Sequence, residues 1–187
     1  MSSLAPSFLL SMPQLLDSNF SKTVVLLCRH SAEEGAFGLV VNRPLITTGR
    51  VVVNLDPPVA TEQELELWVG GPVEPERSWM LVGGEPGTGT GEFTSGISIT
   101  DGLYLTTSPE LLRRMLEPNS PPRVRLIVGY AGWGPGQLEA ELEESAWLIA
   151  DVDTELIFTT PAEQMWETAI RRLGADPSAL QASRGVH

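Results

Sequence analysis

The chain has 187 residues, enough for one domain and too few for two of ordinary size. Its 42% hydrophobic and 19% charged content belongs to chains that bury a core, not to those that stay disordered. Twelve basic against 24 acidic residues leave a formal net charge of −12, which repels phosphate backbones and argues against direct nucleic-acid binding.

From Met1 to Pro13 there is no Lys or Arg, and the longest apolar run, Phe8-Leu9-Leu10, is too short for a secretion signal. No later apolar stretch approaches the ~20 residues of a membrane-spanning helix, so the expectation is a cytoplasmic protein without a membrane partner. Lys22 to Arg29 (KTVVLLCR) is apolar and valine-rich, the pattern of a buried strand. Phe37 to Asn42 (FGLVVN) follows a short turn containing Gly35 and predicts a hairpin with it. Pro44, with no N–H to give a ladder, is expected to end the second strand.

Thr61 to Leu67 is acidic and ambiguous, and Trp68-Val69 then runs into the sharp turn Gly70-Gly71-Pro72. Ser78 to Val82 reads as a strand and Gly83 to Gly91, with five glycines in nine positions, as a loop. Ile97 to Ile99 and Leu103 to Thr107 flank Asp101-Gly102, a dipeptide suited to a type I′ turn. Ser108 caps a helix with Pro109 at its first position and an apolar stripe of Leu111, Leu112, Met115 and Leu116. Arg123 to Tyr130 is a strand that ends in the glycine run to Gly136, and Gln137 to Glu144 is a short helix of strong helix formers. Trp147 to Ala150 and Glu155 to Phe158 read as strands. Thr160-Pro161-Ala162-Glu163 reads as a capping box opening a helix to Leu173, stopped by Gly174. Strands and helices mix without strict alternation, so the expected class is α+β, or a complex α/β sheet, in a single domain over residues 1–187.

The chemistry open to these residues is narrow. One cysteine, Cys28, and two histidines, His30 and His187, make neither an internal disulfide nor a zinc site of Cys and His ligands. The glycine loop lacks the lysine of a P-loop, since the only Lys is Lys22, and its spacing misses the dinucleotide fingerprint. Cys28 and His30, two apart on a strand, have the spacing to share a face as a thiolate–imidazole pair, against which stands the common fate of a cysteine closing an apolar run, burial as an inert thiol. A serine triad would need His30 as well, and no G-x-S-x-G elbow is present. Glu139, Glu141, Glu143 and Glu144 read as a solvated acidic face rather than a metal cluster. No metal or other cofactor is expected. Gly70-Gly71-Pro72, Gly129 to Gly136 and Asn42-Arg43-Pro44 each sit where a strand stops, the last of the glycines ahead of a helix whose first amides are open to an anion.

These segments carry a resemblance. FLLSMPQLLDSNFSKTVVLLCRH (Phe8 to His30), GAFGLVVNRPL (Gly35 to Leu45), VGGPVEPER (Val69 to Arg77), YLTTSPELL (Tyr104 to Leu112), VGYAGWGPGQLEAEL (Val128 to Leu142) and LIFTTPAEQMW (Leu156 to Trp166) resemble, in order, the AlgH/YqgE family of bacterial proteins. That family takes its name from a proposed regulator of alginate production. The resemblance implies one compact domain with a barrel-like β-sheet flanked by helices, and no established catalytic activity. The chain departs from the family's usual pattern at Arg29-His30-Ser31, where an acidic residue, His and Asn are usual, and at Ser145-Ala146-Trp147.

The functional expectation is a non-enzymatic regulatory or interaction protein. Its ligand or partner surface is expected to comprise Asn42, Arg43, Pro44, Gly70, Gly71, Pro72, Gly129, Tyr130, Gly132, Trp133, Gln137 and Glu139, with His30 as polar support. The partner is a protein or a small anion. The alternative is a small-anion or metabolite binder or hydrolase, with Arg43 and the glycine-turn amides holding the anion and Arg43 also able to reach Glu139. Direct DNA binding ranks last.

Overall fold

The computed structural model describes residues 3–12, 22–47, 51–53, 59–61, 65–84, 96–100, 102–115 and 123–179. The glycine-rich segment after Gly84, Asp101, Leu116 and His187 lie outside these. In chain order the first strands are β1 (Ser7–Ser11), β2 (Val24–Ser31), β3 (Gly35–Val40), β4 (Pro44–Thr47), β5 (Val51–Val53) and β6 (Val59–Thr61). They are followed by β7 (Leu65–Val69), β8 (Val73–Gly83), β9 (Gly96–Thr100), β10 (Leu103–Thr106), α1 (Pro109–Met115) and β11 (Val124–Trp133). The chain then forms α2 (Gln137–Glu143), β12 (Trp147–Ala150), α3 (Thr154–Thr159) and α4 (Ala162–Arg172).

The main sheet runs β12-β1-β2-β3-β11-β8-β10-β9, with β7 against β11 and β4 against β7; β5 and β6 form a separate pair. β11 serves two half-sheets. Its first part lies between β7, parallel, and β8, antiparallel, and its last three residues pair with β3. Phe8 and Leu10 of β1 and Ile99 of β9, near opposite ends of the path, share one buried cluster with Leu156 of α3 and Trp166 of α4. The sheet therefore curls around those helices without closing, and β12 and β9 are its ends. This is the α+β, barrel-like architecture expected. No described helix is long and apolar enough to cross a membrane.

β2 explains its own composition. Val24 and Leu26 enter the helix-lined cluster, while Val25 and Leu27 enter a second one with Leu9, Trp133, Leu138 and Trp147. A strand covered on both faces reads as an unbroken apolar run. On α1, Ser108 Oγ accepts from the Leu111 amide at 3.4 Å, and Leu111 and Leu112 pack on Met80 and Val124.

Several local expectations need correcting. Glu155 to Phe158 is helix α3, not a strand. Asp153 caps it by accepting from the Glu155 amide at 3.0 Å, Arg123 grips Glu155 with two hydrogen bonds of 2.6 and 3.2 Å, and the neighbours Leu156 and Ile157 are buried in one cluster, which strand alternation would have separated. The capping box at Thr160 does not form; Pro161 occupies the cap position of α4 and no side-chain cap bond is made. Pro44 opens β4, opposite Trp68, rather than closing β3, which ends at Val40. β11 continues through Ala131 and Gly132 to Trp133.

The half-sheets meet at a backbone crossing. The Gly70 amide donates to the Val128 carbonyl, the Val40 amide to the Gly70 carbonyl and the Val69 amide to the Arg43 carbonyl, each at 2.8 Å. A Cβ on Gly70 would stand 2.5 Å from the Gly129 carbonyl oxygen, and one on Gly71 would fall on the Tyr130 carbonyl. Gly129 has φ +76, and a Cβ there would collide with the Gly71 carbonyl oxygen. Gly129→Ala is thus expected to cost more than ~3 kcal/mol or to prevent folding, since strain and overlap combine. Gly102→Ala, at φ +78 but with open space around it, should cost only ~1 kcal/mol. Urea denaturation of the two variants checks the contrast.

Candidate functional site

Cys28 and His30 lie on β2, but they do not form a catalytic pair. The His30 side chain is 2% exposed. Its Nδ1 accepts from the Leu4 amide at 3.1 Å, which leaves the ring proton on Nε2, and Nε2 bonds Glu139 Oε1 of α2. Both nitrogens are committed. The same bond, with a smaller contribution from the amide of Glu139 itself, holds the Glu139 carboxyl below its ordinary pKa of 4.5. Burial pushes the Cys28 thiol up to about 12, against a small opposing pull from Arg29, and its Sγ approaches the Leu26 carbonyl at 3.5 Å. The thiol bonds a carbonyl and the imidazole bonds elsewhere, so the thiol–imidazole hydrogen bond that would activate a nucleophile is not formed.

An open groove lies where the curled sheet brings β9 across from β2 without pairing to it. A cavity of about 330 Å³ is lined by Cys28, Arg29, Phe37, Arg77, Trp79 and residues of β9 and β10. A second, of about 490 Å³, shares Cys28, Arg29 and Ile99 with it and adds a polar end at Ser3, His30, Ser31, Glu34 and Ser98. The β2–β3 register slips between Leu27 and Arg29, so Cys28 is a bulge. In a regular strand Cys28 and Arg29 would face opposite ways; the bulge lets both reach the groove. A second slip, at Gly129, precedes Tyr130, whose ring stands 5.1 Å from Phe37 and 6.3 Å from Trp79. Phe37 and Trp79 meet edge to face at 5.1 Å, and the Arg77 guanidinium lies 4.5 Å over Trp79. Loss of water around the phenol, and then the Glu74 carboxylate it bonds, raise the Tyr130 pKa. Trp79 Nε1 is buried with no hydrogen-bond partner among the described residues.

The residues expected to share one surface are dispersed. Gly70, Gly71 and Gly129 are interior, and their backbones meet for the steric reason given above. Trp133 is 6% exposed and packs at 6.0 Å on Trp147, so it is core rather than surface. Asn42 ties strand ends, accepting from the Val24 amide and donating to the Lys22 carbonyl, both at 3.0 Å. Arg43 lines a separate pocket of about 260 Å³ with Lys22, Glu163, Trp166 and Glu167. That pocket is at the Val24 end of β2, and His30, opposite Ala36 and near Trp133, is at the other, six residues or ~20 Å away. Arg43 therefore does not meet Glu139, whose partner is His30. Pro44 and Pro72 are exposed, as are Gly132, Gly134 and Gln137. The first amide of the Gly134 turn is taken internally: Gln137 Oε1 accepts from it at 3.0 Å. Glu141 accepts from the Trp147 indole at 3.1 Å rather than joining a cluster with its glutamate neighbours. Arg29, Arg77 and Trp79 are absent from the surface expected from the sequence, because neither register slip has a local signature.

The AlgH-like family model matches residues 8–178. A UPF0301 protein of Photobacterium profundum is 40% identical, with 95% of this chain and 96% of the relative covered. Another from Anaeromyxobacter dehalogenans is 41% identical over 97% of this chain and 94% of its own. The solution structure of the AlgH protein from Pseudomonas aeruginosa superposes with a TM-score of 0.71 at 34% identity, covering 97% of this chain and 94% of that one. A crystal structure from Corynebacterium diphtheriae, protein DIP2367, shares the fold at TM-score 0.65 and 23% identity, with 97% of this chain and 91% of that one covered.

Two outcomes are expected. Because the folded-state pKa of Glu139 is depressed, its pairing stabilises the protein above about pH 4.5 and the contribution is lost as pH falls through the folded value. Glu139→Gln keeps an acceptor for His30 but not the charge, so the stability gap between the two proteins should narrow on acidification, read by denaturant melts at stepped pH. Cys28 in the native protein should react with a neutral thiol reagent roughly a thousandfold more slowly than a free cysteine at pH 7. Labelling followed by mass spectrometry measures this.

Proposed function

The chain belongs to the AlgH-like family, and from that premise we propose that it works as a non-enzymatic regulatory binding protein whose recognition element is the groove between β2 and β9. The observation that carries this reading is the groove's wall. It holds Cys28 and His30, the thiol raised in pKa and bonded to the Leu26 carbonyl, the imidazole held by two hydrogen bonds away from it. What the groove retains is shape and charge: an apolar floor, a ring cluster and two arginines. Pockets of this size and lining suit small molecules.

Regulation follows from where the groove lies. A ligand touching β2 and β9 ties together strands that no ladder joins, so occupancy stiffens the unclosed side of the sheet. A protein partner reading that side, or the exposed β11–α2 junction at Gly132, Gly134 and Gln137, would meet a different surface in the two states. The net charge of −12 places proteins and small ligands ahead of nucleic acid as partners.

A panel of neutral aromatic, aliphatic, carboxylate and phosphate compounds, followed by amide and indole chemical shifts, tests the reading. Saturable shifts are expected at Arg29, Phe37, Trp79 and Ile99, with no compound consumed. Turnover of a bound compound that Cys28→Ala abolishes would make the protein an enzyme and defeat the proposal.

A further inference from the structure

Resting on the groove as the recognition element, the geometry points to its ligand class: a small monocarboxylate with a flat or apolar body, the carboxylate on Arg29 and the body against Phe37 and Trp79. Arg29 lines both parts of the groove. It is exposed, and among the described residues it makes no ion pair. Arg77, by contrast, is committed to Glu74 at 3.5 Å and to the Trp79 ring. In a chain of net charge −12, an uncommitted guanidinium between an apolar pocket and water selects for an anion. Its planar fork matches a carboxylate with two parallel hydrogen bonds.

The apolar part of the groove sets the rest of the ligand. Phe37, Trp79, Ile97, Ile99 and Leu105 form the apolar part of an open cavity of about 330 Å³, enough for a ring or a short acyl chain. Trp79 presents its ring to this space, with the Arg77 guanidinium 4.5 Å over it and Phe37 edge to face at 5.1 Å, so a flat or apolar body has an aromatic wall to pack on. The polar end carries Glu34, which disfavours a second negative charge. Among the described residues of the groove, Arg29 is the cation without an ion pair and Arg77 is balanced by Glu74, so with Glu34 opposing a further charge a monoanion fits better than a phosphomonoester dianion.

Phenylacetate, phenylacetamide and phenyl phosphate are matched probes for this. The chain has five tryptophans, so the Trp79 indole signal is assigned with Trp79→Phe and followed by titration. Phenylacetate is expected to move that signal and saturate, with phenylacetamide and phenyl phosphate binding at least about tenfold more weakly. Arg29→Gln, at an exposed site that leaves the fold intact, should weaken phenylacetate about tenfold and leave phenylacetamide unchanged. Equal binding of acid and amide at Trp79, the phosphate binding tightest, or an unaltered Arg29→Gln titration would each overturn the carboxylate assignment while the groove reading stands. If none of the three probes, nor any compound of the wider panel, moves a groove signal, both fall.

Discussion

β7 and β3 pair with successive parts of β11, and the fold depends on their backbones touching at Gly70. β7 ends and β3 ends within one hydrogen bond of each other, through the Gly70 carbonyl and the Val40 amide. That contact hands β11 from one half-sheet to the other. It is possible only because residues 70, 71 and 129 carry no Cβ. Any side chain would push the halves apart, and with them the cluster in which β1, β9, α3 and α4 meet. The glycines expected at a binding surface are thus the hinge pins of the interior, and the surface they shape lies one strand away, at Phe37, Trp79 and Tyr130.

The groove inherits its form from the same local irregularities. The slip at Gly129 precedes Tyr130 in the ring cluster and the slip at Cys28 turns Arg29 toward the cavity. Beside it, the segment before β1 is pinned by His30, whose ring is held in turn by α2 through Glu139. His30 therefore orders three separate pieces of chain, which is a structural task for a residue type often recruited to catalysis. With Nδ1 on the Leu4 amide and Nε2 on Glu139, both polar atoms of the ring are spent on holding the chain together.

Much of this fold was legible in the sequence, and the unreadable parts share a cause. The β2–β3 hairpin, the pairing of β9 with β10 beside a left-handed Gly102, the Ser108 cap, α2 and β12 follow from local pattern, because turn chemistry and periodicity act over a few residues. α3 was misread as a strand because Leu156, Ile157 and Phe158 in a row carry no period. What decides the matter is the Asp153 cap together with Arg123, a residue over thirty positions away that pairs with Glu155. Arg43 looked like the anion-binding group because it follows a strand near glycines, yet sequence proximity to a turn does not say at which end of a hairpin it sits. Arg29 stands out in the sequence only as a departure from the family pattern and not as a site residue, because a bulge changes which way a side chain faces without changing composition.

The indole of Trp166 donates at 2.9 Å to the carbonyl of Ser11, a buried bond that joins residues 155 positions apart. β1 likewise lies between β2, its near neighbour in sequence, and β12, more than a hundred residues later. Such a chain closes its largest loops to reach its central contacts, which slows folding relative to a protein of local contacts. During synthesis the apolar strands β1 and β2 leave the ribosome long before β12 and α4 can cover them. For most of its translation the nascent protein holds an apolar segment without its lid, the condition in which aggregation competes with folding.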